Sequence, residues 1–283
     1  MLCDKTLRSI AITRINDTTS TEVRDDVVAV EEPLEIRVMG RPVAVVMRTP
    51  GHDRELAAGF LVTERLLRTQ GDLLDMVRCG TTDEGSSRPG EGGASEENQE
   101  NVLDVILTPG TTVDWGALTR HVFTSSSCGL CSKATIEAVQ GQFAPLSAPA
   151  VLRRRILTGL PAQLRAAQPT FDATGGLHAS ALFDASGRLV VVREDVGRHN
   201  ALDKVIGQAF FAERLPLAQN ILLVSGRVSF EIMQKALAAG IPVVAAISAP
   251  TSAAVEFARA SGQGLVGFLR GERMNVYAGT LSE

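Results

Sequence analysis

Two cysteines, Cys128 and Cys131, lie two residues apart in TSSSCGLCSKATIEAV, residues 124–139. A thiolate is both the nucleophile of sulfur chemistry and a metal ligand. The segment KATIEAVQGQF that follows has apolar residues at helical spacing, so we predict a helix that begins just after the pair. The positive end of that helix, together with Lys133, would lower the pKa of a nearby thiol and so increase its thiolate fraction.

A zinc site is one use for this pair, because a CxxC motif supplies two of the four ligands that structural zinc needs. The candidates for the remaining ligands are Cys3, Cys79, His121, His178 and His199. A zinc deaminase would pair the CxxC motif with the histidine of GGLHASAL, but its chemistry also needs a glutamate two residues after that histidine. Ser180 occupies that position, and the CxxC motif precedes the histidine. Deamination is therefore disfavoured, whereas structural zinc stays open.

A thiol oxidoreductase and a sulfur carrier are the other uses, and both require a thiolate. Thioredoxin-like motifs follow a strand in a compact domain and have aromatic or proline residues as neighbours. Here the neighbours are small, with serines at 125–127 and 132 and Gly129 between the cysteines. Small flanking residues suit a loop that hands sulfur to different protein partners. Two ordinary reduced cysteines remain the alternative without a function.

The composition is that of an ordinary globular protein and excludes some partners. The chain has 283 residues, of which 45% are hydrophobic and 21% charged, with a net charge of -4 and a pI near 5.7. No broad basic surface is expected, which argues against nucleic acid as a partner. Asp4 interrupts any signal peptide, and the most apolar stretch, residues 241–260, contains charges and a proline. We therefore expect a cytoplasmic protein with reduced cysteines and no membrane span.

The N-terminal half mixes strands with a helix. We expect residues 1–30 to be polar and irregular, followed by two strands in LEIRVMGRPVAVVMRT and a helix in TPGHDRELAAGFLVTERLL that Asp53 or the preceding residues cap. LLDMVRC and VLDVILT are predicted to be strands. Between them, residues 80–101 are rich in glycine, serine and acidic residues, which predicts a mobile surface loop.

From about residue 147 the pattern becomes regular. LHASALFDASGRLVVVRED predicts two strands, and HNALDKVIGQAFF predicts a helix. NILLV, SFEIMQKALAAG, IPVVAAI, TSAAVEFARASG and LVGFL then alternate between strand and helix, with the helices ending at Gly240 and Gly262. Apolar strands between amphipathic helices indicate an α/β fold whose parallel strands are covered on both faces. The size and the change of pattern predict two domains, 1–146 and 147–283.

Polar residues follow three of these strands. The segments are Ser225-Gly226-Arg227, Ser248-Ala249-Pro250-Thr251 and Arg270-Gly271-Glu272-Arg273. Since the carboxyl ends of parallel strands face one edge of a sheet, three arginines and two helix N-termini should meet there and favour an anion such as phosphate. Ordinary loops with solvated arginines explain the pattern equally well. A second polar cluster, REDVGRHNALDK, could form the wall of a site, but a salt-bridged start of a helix explains it equally well. We favour the structural interpretation for its charges and leave the role of His199 open.

From about residue 25 to residue 278 the chain resembles the FdhD/NarQ family of formate dehydrogenase accessory sulfurtransferases. The segments that carry the resemblance, in the family's order, are TPGHDRELAAGFLVTE, SSSCGLCSKA, TGGLHASAL, REDVGRHNALDKVIG, SGRVSFEIMQKALAAGIPV, SAPTSAAVE and VGFLRGERMNVY. Ser132 stands where many members have glycine, and the insert at residues 80–101 is longer than the resemblance requires.

The resemblance implies a smaller N-terminal α+β domain, ending in the CxxC loop and its helix, and a cytidine-deaminase-like three-layer α/β domain without deaminase catalysis. It implies a cytoplasmic homodimer with no permanently bound cofactor. Such a protein takes persulfide sulfur from a cysteine desulfurase. It transfers that sulfur to Mo-bis(molybdopterin guanine dinucleotide), or to the tungsten equivalent, before formate dehydrogenase receives the cofactor.

The resemblance also assigns residues. Cys128 would carry the persulfide and Cys131 would assist. The guanine dinucleotide end of the cofactor would bind Phe268, Leu269, Arg270, Gly271, Glu272 and Arg273. Together with the polar edge of the sheet, this leads to the hypothesis that Arg270 and Arg273 hold the phosphates, with help from Arg227 and Ser248. The alternative is a non-catalytic cofactor-binding chaperone whose CxxC motif binds zinc or a partner.

Overall fold

A computed structural model describes residues 5–15, 21–79, 101–113, 115 and 144–283. The strands are β1 (Leu7–Ile15), β2 (Thr21–Ala29), β3 (Glu32–Val38), β4 (Arg41–Arg48), β5 (Leu73–Arg78), β6 (Val102–Leu107), β7 (Val151–Arg153), β8 (His178–Phe183), β9 (Leu189–Asp195), β10 (Ile221–Val224), β11 (Val243–Ala246), β12 (Gly264–Arg270), β13 (Arg273–Ala278) and β14 (Thr280–Ser282). The α-helices are α1 (Asp53–Thr63), α2 (Arg154–Ala166), α3 (Pro169–Thr174), α4 (Arg198–Phe211), α5 (Phe230–Ala238) and α6 (Ser252–Ser261). A 3-10 turn spans Gln70–Asp72.

The N-terminal residues form a hairpin, so the prediction of an irregular segment over residues 1–30 is wrong. β1 and β2 are antiparallel, from Leu7 opposite Ala29 to Ile15 opposite Thr21. Both strands contain β-branched residues, which favour extended backbone. Most of their side chains are nevertheless exposed. The polarity of the segment therefore conceals strands that have no buried face.

The strands predicted in the rest of the N-terminal half are confirmed and form one sheet, with strand order β4-β3-β6-β5. Met39 and Gly40, with φ of 52° and 78°, make the turn between β3 and β4, and such left-handed pairs match the twist of a hairpin. Leu34, Ile36 and Val38 alternate along β3 and are fully buried. They share a core with the apolar side of α1, so α1 covers this face of the sheet.

Helix α1 begins where predicted, since its N-cap is one of the residues just before Asp53, but no side chain caps it. The N-cap is His52, which makes no side-chain capping hydrogen bond. The Asp53 carboxylate is instead buried and accepts hydrogen bonds from Arg48 at 3.0 and 3.2 Å and from Arg78 at 2.6 Å. Arg48 is itself only 2% exposed. A buried ion cluster, rather than a cap, therefore fixes the beginning of α1.

The C-terminal half is built on a six-stranded sheet, with strand order β13-β12-β11-β10-β8-β9. The predicted strands β10, β11 and β12 are parallel, and the flanking strands pair antiparallel. Leu222 and Val224 pack in one core with α4, α5 and α6. Ile221 and Leu223, on the opposite face, pack with α2. The predicted α/β fold with three layers, helices on both faces of a sheet, is confirmed.

Helices α1 and α4 cross at two glycines. A Cβ atom added to Gly59 would lie 1.8 Å from the carbonyl oxygen of Asp203, and one added to Gly207 would lie 1.8 Å from that of Glu55. The helix backbones are therefore in direct contact. One continuous cluster of buried hydrophobic side chains extends from the N-terminal sheet through this crossing to the six-stranded sheet. The division into domains at residue 146 stays a prediction.

Candidate functional site

The three polar segments after β10, β11 and β12 meet at one edge of the sheet, as predicted. The backbone N–H of Val228 donates to the carbonyl oxygen of Ala249 at 3.1 Å. The N–H of Phe268 donates to that of Ser248, also at 3.1 Å. Helices α5 and α6 begin at this edge. The sheet therefore brings together segments that are distant in the sequence.

The hairpin between β12 and β13 contains the predicted nucleotide segment. Arg270 lies opposite Arg273 across the turn, in which Gly271 has a φ of 57°. Phe268 also has a positive φ, 52°, and 41% of its surface is exposed. A left-handed conformation costs a non-glycine residue on the order of 1–3 kcal/mol and is found preferentially at functional sites. Leu269 is fully buried in the core, so its side chain anchors the hairpin rather than facing a ligand.

A cavity of about 710 Å³ opens beside this hairpin, within the range of about 300–1,000 Å³ typical of small-molecule sites. It is lined by three arginines, Arg154, Arg270 and Arg273, by Glu272 and by Phe268. Met274, Asn275, Val276 and Leu281 complete the lining. The arginines outnumber the single acid, so the cavity favours an anion. The exposed phenyl ring offers a flat surface on which a nucleobase can stack.

Arg154 was not predicted to belong to the site. It is the first residue of α2 and follows the N-cap residue Arg153. The N-terminus of a helix carries partial positive charge, which disfavours cations. The sequence VLRRRILTGL places three arginines where this helix begins. An arginine cluster in that unfavourable position is the signal that could have indicated an anionic ligand.

The expected helpers Arg227 and Ser248 do not line the cavity. Ser248 contributes its backbone carbonyl oxygen, which holds Phe268. Arg227 follows β10 and affects His178 electrostatically instead. Of the predicted phosphate-binding side chains, the structure gathers only Arg270 and Arg273 around this cavity.

Cys128 and Cys131 lie outside the described residues, as does the predicted helix after them. The insert at residues 80–101 is described only at Asn101. Cys79, at the end of β5, has a free thiol. Over the described ranges no group of three histidine, cysteine, aspartate or glutamate side chains is placed to hold a metal ion. Because the CxxC motif is not among those residues, the zinc alternative stays open.

Ion pairs within the charged cluster REDVGRHNALDK fit the interpretation of a salt-bridged helix start. Lys204 Nζ lies 2.6 Å from the carboxylate of Asp195, and the two side chains are only 1% and 0% exposed. His199 Nε2 lies 2.8 Å from the carboxylate of Glu231 on α5. The hydrogen bond from His199 lowers the pKa of Glu231, although burial opposes this shift. His199 therefore ties the start of α4 to the start of α5.

Comparison with known families gives a match over residues 29–282, which spans the CxxC motif and the cavity hairpin, to the FdhD/NarQ family. The chain belongs to the FdhD/NarQ family. Its relatives in that family include the sulfur carrier protein FdhD of Mycobacterium tuberculosis, to which it is 54% identical over 256 residues, or 90% of each chain. The sulfur carrier protein FdhD of Streptomyces coelicolor is 52% identical over 272 residues, covering 95% of this chain and 92% of the relative.

The fold of this FdhD/NarQ member is also found in a crystal structure from Desulfotalea psychrophila, described as that of a formate dehydrogenase accessory protein. The two structures superpose with a TM-score of 0.69 at 24% identity, over 95% of this chain and 96% of the other. At this identity the likeness establishes the shared architecture. Within the described part of the chain, no helix is both long and apolar enough to span a bilayer.

Proposed function

We propose that this chain is a sulfur carrier that delivers sulfur to a guanine-dinucleotide molybdenum or tungsten cofactor on behalf of formate dehydrogenase. The observation that carries the proposal is the match of residues 29–282 to the FdhD/NarQ family. Relatives at 52% and 54% identity over most of the chain are named sulfur carrier proteins. The match includes both cysteines of the CxxC motif.

The proposed chemistry is a persulfide relay. The thiolate of Cys128 attacks the outer sulfur of a persulfide on a cysteine desulfurase. A new S–S bond forms, the desulfurase thiolate leaves, and Cys128 now carries the persulfide, with no net oxidation or reduction. Cys131 can then attack the inner sulfur of the Cys128 persulfide, which would release the outer sulfur as sulfide and leave a disulfide between the two cysteines.

The cavity beside the β12–β13 hairpin is the proposed site for the guanine dinucleotide end of the cofactor. Arg270 and Arg273, joined by Arg154, would bind its phosphates through bidentate hydrogen bonds. Phe268 would stack against the base, and the carboxylate of Glu272 could accept hydrogen bonds from the ring N–H and amino group of guanine. The three arginines that line this cavity support the proposal.

Cysteine desulfurase and formate dehydrogenase are therefore the proposed protein partners, the first as sulfur donor and the second as receiver of the finished cofactor. The cofactor is cargo and not a resident group. We also propose that the carrier acts as a cytoplasmic homodimer.

Sulfur loading tests the relay. Incubation of the full chain with a cysteine desulfurase and cysteine should add one sulfur atom to its intact mass, and a thiol reductant should remove it. Cys128→Ala should abolish this gain, because the accepting thiolate is gone. Cys131→Ala should still load but should release sulfur more slowly. Mass spectrometry of the intact protein measures all three.

Cys79→Ala is the matched control, since Cys79 lies at the end of β5 and should load like the wild type. If the wild type gains no sulfur, the relay is wrong. Stoichiometric zinc in protein purified without chelator would then favour the chaperone alternative, in which the CxxC motif binds metal.

Nucleotide binding tests the cavity. Arg273→Ala should weaken the binding of GDP roughly 10- to 100-fold, because a hydrogen bond to a charged phosphate contributes about 1.5–3 kcal/mol. Sulfur loading of the same variant should be unchanged. Arg188→Ala, in the turn between β8 and β9, is the control, since Arg188 does not line the cavity. Calorimetric titration with GDP decides, and an unaltered affinity in Arg273→Ala would rule out the phosphate-binding role.

A further inference from the structure

A second group of basic side chains lies at the same edge of the sheet, on the α4 face. It consists of His178, Arg198 and Arg227. His178 begins β8, and its side chain is on the same face of that strand as Leu182, which packs with α4. Arg198 is the first residue of α4, and Arg227 follows β10. None of the three lines the cavity beside the β12–β13 hairpin.

Two members of this group, His178 and Arg198, lie close to Gly226. A Cβ atom added to Gly226 would lie 3.2 Å from Nδ1 of His178 and 3.7 Å from Cβ of Arg198. The Ser225 hydroxyl accepts a hydrogen bond from the backbone N–H of Ala179 at 2.9 Å. The imidazole of His178 and the stem of Arg198 therefore converge on the backbone at the end of β10.

The carboxylates of the neighbourhood already have partners. Asp195 is paired with Lys204 at 2.6 Å, and Glu231 with His199 at 2.8 Å. The carboxylate of Glu194 accepts the backbone N–H groups of residues 170 and 171 at 3.1 and 2.8 Å. Among the described residues, each of these three carboxylates is thus already held by a partner other than Arg198 or Arg227.

Neither arginine is in direct contact with a counter-charge within the part of the chain that the structure describes, although the Glu231 carboxylate lies near enough to Arg198 for their charges to interact. Neither Arg198 nor Arg227 forms an ion pair there, and Nε of Arg198 is shielded from solvent without a hydrogen-bond partner. A buried donor without an acceptor is costly and rare in folded proteins. Burial, followed by the charge of Arg198, lowers the pKa of His178. Two positively charged guanidinium groups therefore act on the same imidazole, and one of them has a buried N–H without an acceptor among the described residues.

The geometry points to a binding site for a phosphate-class oxyanion, held by the guanidinium groups of Arg198 and Arg227 beside the imidazole of His178. An oxyanion would supply an acceptor for the unpaired Nε and would offset the repulsion between the like charges. It would also meet the N-terminus of α4, a 14-residue helix whose dipole favours negative charge there. The inference does not rest on the proposed sulfur transfer or on the cavity at the hairpin.

The histidines allow a direct test, since the chain has only four. The full chain carrying Arg273→Ala, which impairs the hairpin cavity, is titrated with inorganic pyrophosphate at constant ionic strength while the imidazole NMR signals are recorded. His178→Gln assigns the His178 signal. We expect a saturable shift of that signal and none of His52, an exposed histidine paired with Glu55.

Arg198→Gln and Arg227→Gln, each added to the Arg273→Ala chain, should raise the dissociation constant of pyrophosphate at least tenfold. Arg227 is exposed, so its replacement keeps the fold even if that of Arg198 does not. Repeating the titration with GDP identifies the source of the phosphate: tighter binding than pyrophosphate would indicate a nucleotide, and weaker binding a free oxyanion. No saturable shift of His178, or a shift that persists unchanged in both arginine variants, would overturn the inference. Loss of GDP binding by Arg273→Ala alone bears only on the hairpin cavity.

Discussion

Replacement of Gly59 or Gly207 by alanine should destabilise the protein by about 3 kcal/mol or more, the upper end of the cost of overpacking. The added Cβ would lie 1.8 Å from a backbone carbonyl oxygen of the facing helix in either variant. A backbone cannot rotate away as a side chain can, so α1 and α4 must separate. Alanine favours the helix by up to about 1 kcal/mol relative to glycine, which is too little to compensate. Urea unfolding followed by circular dichroism measures the change.

Gly159→Ala provides a control with the opposite sign. Gly159 lies inside α2, and a Cβ atom added there would meet nothing within 4 Å. This variant should be about 0.5–1 kcal/mol more stable than the wild type, from helix propensity alone. The double variant of Gly59 and Gly207 should lose less unfolding free energy than the two single variants lose in sum, because the helices need to separate only once. Equal stabilities of Gly59→Ala and Gly159→Ala would contradict the close crossing.

The α/β half could be predicted from the sequence because each element has a local signal. Strands β10 and β11 are uninterrupted apolar runs, and left-handed glycines follow the helices between the strands, as at Gly240 and Gly262. The order of parallel strands then placed the segment over residues 270–273 on a ligand-binding edge. Arg154 could not be placed there, because its approach to the cavity depends on how α2 packs beneath the sheet.

The features that the sequence did not reveal depend on contacts between distant segments or on exposed strands. Asp53 is predicted only as a candidate helix cap and Arg48 has no predicted role, yet both side chains are buried. β1 and β2 have no buried face, so their sequences lack the alternation of apolar and polar residues by which strands are predicted. The close approach of Gly59 and Gly207 is likewise invisible in a sequence, since an isolated glycine in a helix has many explanations.

Lys204→Met should cost about 3 to 5 kcal/mol of stability, the usual result of removing one partner of a buried ion pair. Lys204 and Asp195 are 1% and 0% exposed, and their charged atoms lie 2.6 Å apart. Lys204 Nζ also donates to the carbonyl oxygen of Thr49 at 2.9 Å, and Asp195 accepts the N–H of Thr49 at 3.2 Å. Methionine keeps the length of the side chain but leaves a buried carboxylate without its cation. The free energy of unfolding in urea at neutral pH measures the loss.

Two comparisons separate the charge from the packing. Arg54→Gln removes an exposed pair, in which Arg54 lies 3.7 Å from Asp75, and should cost no more than about 1 kcal/mol. The double variant Lys204→Met with Asp195→Asn should lose less unfolding free energy than the two single variants lose in sum. Asp195→Asn removes the negative charge that Lys204→Met leaves unpaired. Strict additivity would mean that the lysine acts through its packed stem alone. A positive coupling would show that the ion pair between the end of β9 and α4 stabilises the protein through its charges, and so helps to position the start of α4, where Arg198 lies.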